Sequence, residues 1–197
     1  MQMDIKSAIQ AVFPKYILCL DDVCLEHTEQ FAAAAHMLIR QAGSTTNDLL
    51  KVISTHRTKS DLHEYTVFQP LVQAIKNVMF EYASYVGYDT ATIFKFNLTN
   101  MWVNINDQGG YNFPHVHSGS VISGVYYVKT PPNNKIVFFD NYSNTDVALN
   151  ATGEGHELKR YECRTGRLLM FRSDLLHGNP PQPEQGEKIA ISFNFMR

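Results

Sequence analysis

Two histidines stand two residues apart in "NFPHVHSGSVISGVYYV", residues 112–128, and a third, His177, follows much later in "RLLMFRSDLLHGNPPQP". In extended backbone, residues i and i+2 point the same way, so His115 and His117 present two imidazoles to one side. Imidazole is a common metal ligand. Two from one extended segment and a third from a distant strand make a set gathered on one side. That set leaves the opposite positions open for a cosubstrate and O2, as in non-haem iron sites. The competing reading is three ordinary polar residues at strand edges. The chain has eight histidines, enough for one such pair to arise by chance. His27, His36, His56 and His63 lie in the helical half and read as surface or loop residues. His156, in the Gly-flanked "TGEGHELKRYE", is the rival third ligand.

The last strand carries a second constellation. In "KIAISFNF", Ile189, Ile191, Phe193 and Phe195 alternate with Lys188, Ala190, Ser192 and Asn194, the period of a strand with one apolar face. Lys188, Ser192 and Asn194 share the other face. If that face looks into the mouth of a β-structure, it sets a cation, a hydroxyl and an amide beside the histidines. A buried cation there needs an anionic partner, such as a dicarboxylate. If it looks outward, it is an ordinary solvated face. Tyr126 and Tyr127 cannot both face the site, because neighbours alternate; Tyr127 is expected inward. Trp102, Asn104 and Asn106 share one parity, and Asn104 either lines the pocket or caps a turn. Arg172 is a second candidate anchor that reads equally well as a strand-end surface charge.

The elements that must position these groups fall into two kinds. "LEHTEQFAAAAHMLIRQA" (25–42) and "LVQAIKNVMFEYASYVG" (71–87) carry helical spacing and stop at Gly43 and Gly87. Between them, 43–69 is polar and irregular, a candidate lid or packed loop. "VFPKYILCL" reads as a short strand. From about 91 the signal turns to strands: "ATIFKFNL" and "MWVNIN", joined by "TN" as a hairpin, then "SVISGVYYV", "KIVFFDN", "RLLMFR" and "KIAISFNF". Strands broken by "TPPNN", "SNTD" and "GNPPQPEQG" predict an antiparallel sandwich or jelly roll. The helices would cover one outer face. One domain over 1–197 is expected, with helical support mainly at 25–87 and a β core from about 91 to 197.

The totals narrow the class. With 197 residues, 44% hydrophobic and 18% charged, net charge −2, the chain reads as a globular protein with a real core. Lys and Arg are scattered, so there is no electrostatic signature for nucleic acid. Cys19, Cys24 and Cys163 are odd in number and lack zinc spacing, which predicts a reducing compartment, the cytoplasm. No basic-then-apolar leader opens the sequence and no apolar run approaches membrane length.

"YNFPHVHSGSVISGVYYV" followed by "GRLLMFRSDLLHGNPPQPEQGEKIAISFNF" resembles the 2-oxoglutarate/Fe(II)-dependent dioxygenases, and within them the prolyl-4-hydroxylase-like branch. It is most similar to a bacterial and phage group with HxH, then SGVYY, then FxSxLxH, then a final SxN strand. If the gene is phage-borne, the compartment is the host cytoplasm. The resemblance covers roughly residues 91–197. It implies a double-stranded β-helix, with Fe(II) and 2-oxoglutarate as cofactors. O2 and a substrate of undetermined identity would be the partners, and hydroxylation the reaction, with release of succinate and CO2. By position, His115, His117 and His177 would be the iron ligands. Tyr127 and Lys188 would hold the 2-oxoglutarate carboxylate, and Ser192 and Asn194 would line its pocket. There are three departures. His117 replaces the usual Asp, which makes the ligand set neutral. Lys188 replaces the usual Arg, a point charge for a bidentate fork. Ala190 stands where many relatives carry a hydroxyl. These leave two rivals: a three-histidine cupin-type enzyme that uses no 2-oxoglutarate, and a non-catalytic jelly roll.

Overall fold

In the computed structural model, residues 14–42, 56–140 and 158–197 are described. Among the described residues, ten strands form two antiparallel sheets. In chain order they are β1 (Ile17–Leu20), β2 (His56–Arg57), β3 (Asn97–Asn106), β4 (Asn112–His115), β5 (Ile122–Lys129), β6 (Lys135–Phe139), β7 (Leu158–Glu162), β8 (Leu168–Arg172), β9 (His177–Asn179) and β10 (Lys188–Met196). The large sheet runs β1-β8-β5-β10-β3-β2 and the small one β4-β9-β6-β7. Facing each other, they make the double-stranded β-helix, or jelly roll, expected from the strand pattern. Helices α1 (Thr28–Ala42) and α2 (Gln69–Tyr85) and the single turn α3 (Thr90–Ile93) complete the described elements apart from short 3-10 turns. Among the described residues no helix is long and apolar enough to cross a membrane.

The large sheet is buried on both faces, and the period of β10 sorts its residues between them. Ile189, Ile191, Phe193 and Phe195 join Phe31 and Leu38 of α1 and Leu71 and Ile75 of α2 in one apolar cluster. Ala190, Val125, Tyr127, Leu169 and Phe171 face the other way and pack with Ile136 and Phe138 of the small sheet. At about 25 cal/mol per Å² of apolar surface, the larger helix-side cluster is the main source of stability. It holds β10 rigid while the inner face stays free for polar groups. Gly124 permits this packing: a Cβ there would stand 2.2 Å from Phe193 Cζ and 2.5 Å from the Leu169 carbonyl oxygen.

One local expectation fails. "ATIFKFNL" and "MWVNIN" do not form a hairpin. Asp89 caps the short α3, its Oδ1 accepting from the Thr92 N–H at 2.9 Å. The chain then runs straight through "TN" as one ten-residue strand. The turn-like pair marks a bulge instead. Asn194 pairs Asn100 and Phe195 pairs Leu98, so Thr99 is the extra residue, and its buried hydroxyl has no partner among the described residues. β2, β4, β7 and β9 were not read as strands in the sequence. Residues 43–55 of the candidate lid, and His156, lie outside the described residues.

Candidate metal centre

The three histidines meet where the short strands of the small sheet end. β4 and β9 pair with His115 directly opposite His177, which sets their rings 4.5 Å apart between centroids. Gly178 allows the two strands to approach this closely. A Cβ there would lie 2.8 Å from the Asn112 carbonyl oxygen and 3.0 Å from the Pro114 nitrogen. His117 lies just past the end of β4, its backbone N–H donating to the Ser173 carbonyl at 2.9 Å. Its ring stacks on Trp102 with centroids 5.9 Å apart. One ring nitrogen of each histidine lies within 4.8 Å of the others.

The donor set fits a metal ion. Nδ1 of His115 donates to the Phe113 carbonyl at 2.7 Å, and Nδ1 of His177 to the Leu175 carbonyl at 2.8 Å. Such bonds fix the tautomer and leave Nε2 as a lone pair, the usual support of a metal-bound histidine. The Nε2 atoms of His117 and His177 then face each other at 3.3 Å. At that distance the two nitrogens can share a proton or a cation between them. Burial, with the other two imidazoles beside it, pushes the His177 imidazole down to about 3. It is therefore neutral and ready to ligate at any physiological pH.

The histidines open onto a cavity of about 370 Å³ between the sheets, within the range of small-ligand sites. Lys188, Tyr127, Ser192 and Asn104 all line it. Lys188 is 2% exposed, and among the described residues no carboxylate neutralises it. Burial lowers its ammonium below the usual lysine range. The Tyr127 hydroxyl is fully buried and has no hydrogen-bond partner of ordinary geometry among the described residues. Burial raises it far above its usual value, with Cys163 and Asn179 as polar neighbours. A buried cation and a buried donor, both unmet, are the features a small dianion would satisfy.

The remaining candidates divide. Asn104 donates to Ser192 Oγ at 3.3 Å. Tyr126 turns away to the helix side, its hydroxyl donating to the Val23 carbonyl at 2.7 Å. Asn194 is buried but outside the cavity lining, accepting from Ser123 Oγ at 2.8 Å. Arg172 also lies outside it, an exposed strand-end charge paired with Asp174 at 2.9 Å. Sequence reasoning gave no role to Asn106, Asn112, Asn179 and Ile136, which line the cavity as well. For Asn106 the signal was present, since it shares the parity of Asn104. Asn112 and Asn179 sit on strands too short to read from pattern.

Residues 100–194 match a family model described as "Putative 2OG-Fe(II) oxygenase". None of the curated proteins matches the chain. Among solved structures, the chain is similar in fold to a Pseudomonas putida prolyl-4-hydroxylase at 12% identity and TM-score 0.64, covering 92% of each chain. It is similar to the viral collagen prolyl hydroxylase of Paramecium bursaria chlorella virus-1, solved as a 2-oxoglutarate complex, at 14% identity and TM-score 0.60, covering 92% of this chain and 95% of that one. A third is HygX from Streptomyces hygroscopicus with nickel and 2-oxoglutarate bound, at 13% identity and TM-score 0.59, covering 92% of this chain and 83% of that one.

Proposed function

We propose that the chain is a 2-oxoglutarate/Fe(II) oxygenase of the prolyl-4-hydroxylase-like kind, a reading supported by the family model over residues 100–194 and by the shared fold, and that it hydroxylates its substrate at a centre built by His115, His117 and His177. Fe(II) held there would supply the redox chemistry, with 2-oxoglutarate oxidatively decarboxylated to succinate and CO2 and the two atoms of O2 divided between succinate and the hydroxylated substrate. The protein supplies placement. His115 and His177 are held by their Nδ1 bonds to backbone carbonyls, and His117 rests on Trp102. Lys188 and Tyr127 hold the far carboxylate of 2-oxoglutarate. Asn104 and Ser192 line the cavity beside them. Arg172 and Asn194 do not line the cavity.

One observation carries this reading: the Lys188 ammonium is buried in the histidine cavity with no carboxylate among the described residues to neutralise it. A site that used no 2-oxoglutarate would leave that charge uncompensated, a costly arrangement. Turnover of 2-oxoglutarate to succinate, measured with and without Lys188→Ala, tests it. Truncating one partner of a buried charge pair raises the KM for 2-oxoglutarate on the order of 100-fold. Turnover indifferent to Lys188 would favour the three-histidine enzyme without a cosubstrate.

A further inference from the structure

Four sequence segments converge on the site, and the reading above leaves one polar residue unused in each of three: Ser123 of "SGVYY", Ser173 of "FRSDLLH" and Asn194 of "SFN". The structure brings these three together. All are buried, at 0%, 1% and 6% exposure. Ser123 Oγ lies 2.7 Å from Ser173 Oγ and donates to Asn194 Oδ1 at 2.8 Å. A hydroxyl has one proton to give. Since that of Ser123 goes to Asn194, Ser173 must donate to Ser123. The chain of bonds therefore has one direction, Ser173 to Ser123 to Asn194, and ties the turn after β8 to β5 and β10.

That turn holds His117. The Ser173 carbonyl accepts the His117 N–H at 2.9 Å, and the Ser173 N–H donates to the Val121 carbonyl at 3.1 Å. His115 and His177 stand on paired strands and are fixed at Nδ1 by their own neighbourhood. His117 lies past the end of β4, before a turn at Ser118 and Gly119. Asn194 belongs to β10, which the helix-side core holds rigid. The bonds thus run from β10 to the backbone that carries His117.

We propose that Ser173, Ser123 and Asn194 are positioning residues that fix the His117 imidazole for metal binding. The inference rests on the metal-site reading above. Outer-sphere partners of this kind typically cost about 10–100-fold in metal affinity when removed. In Ser173→Ala the Ser123 hydroxyl still donates to Asn194, so an effect on the metal separates from an effect on folding, whereas the double variant leaves the buried Ser173 hydroxyl unmet and loses some stability.

Co(II) titration of the metal-free protein, followed by its visible absorption, tests the proposal on wild type, Ser173→Ala, Ser173→Thr and the double variant Ser123→Ala/Asn194→Leu, with thermal melts alongside. Ser173→Ala and the double variant are expected to bind Co(II) at least tenfold more weakly and with an altered absorption band. The melt of Ser173→Ala should stay close to wild type and that of the double variant should fall by only a few degrees, and Ser173→Thr, which keeps the hydroxyl, should restore both affinity and spectrum. Wild-type affinity and spectrum in either folded hydroxyl-less variant would overturn the positioning role while leaving the metal site standing. A wild-type protein that binds no Co(II) would overturn both.

Discussion

At the scale of single residues, the proposed use of 2-oxoglutarate turns on Lys188. It replaces the usual Arg of the resemblance and is 2% exposed, and in the proposed function a dicarboxylate supplies its counter-charge. Burial lowers its ammonium, and a bound carboxylate reverses that shift. Binding of 2-oxoglutarate therefore takes up a proton once the pH exceeds the lowered value. Its affinity should fall with rising pH across the interval between that value and the ordinary lysine range, about 10.4. Lys188→Arg keeps its charge throughout and should flatten the profile. Isothermal titration in several buffers checks both the affinity and the proton uptake. The sign for stability is the opposite. In the same interval the unfolded chain holds a proton the folded one has released, so the metal-free protein gains stability as the pH rises. The shared face of Lys188, Ala190 and Ser192 was legible because β10 alternates so plainly. Tyr127 followed from the same alternation. Arg172 had two equal readings because a strand-end residue lacks neighbours to fix its side, and its pairing with Asp174 settles it outside.

At the scale of elements, the centre depends on how closely β4 and β9 approach. Gly178→Ala would press its methyl on the Asn112 carbonyl oxygen and the Pro114 nitrogen, both backbone atoms that cannot turn aside. The expected cost is about 1–3 kcal/mol of stability from overpacking, read by denaturant melts. Metal affinity should be lost with it, because His115 rides on the strand that moves. A Gly178→Ala protein with wild-type melt and metal affinity would contradict this account of the strand pair. These two strands were invisible in the sequence, since one has four residues and the other three, too short for a period to show. The long strand β3 was legible in place but broken wrongly. "TN" has turn chemistry, and in this chain that chemistry makes a bulge. Thr99 is squeezed out of the ladder between Leu98 and Asn100 while the strand continues.

At the scale of the molecule, the jelly roll could be read because strands broken by Pro, Gly and Asn clusters dominate the second half, with helical periods confined to the first. The pairing order of the sheets could not. It depends on contacts far apart in sequence, such as β1 with β8 and β3 with β10, for which no local signal exists. Because the cavity lies between the two sheets, whatever fills it ties them together. Co(II) plus 2-oxoglutarate at 100 times its Kd should stabilise the fold by about 2.7 kcal/mol beyond the metal alone, roughly 5–10 °C in Tm for a chain of this size. EDTA should abolish the shift. A 2-oxoglutarate shift that survives EDTA would show binding away from the histidines.

The most direct test of the central claim is an anaerobic titration of the metal-free protein with Fe(II) and then 2-oxoglutarate, followed by visible absorption. The account predicts a weak charge-transfer band that saturates with 2-oxoglutarate, disappears in His177→Ala, and needs far more 2-oxoglutarate in Lys188→Ala. Fe(II) binding with no band at any 2-oxoglutarate concentration would contradict it and turn the site over to chemistry without a dicarboxylate.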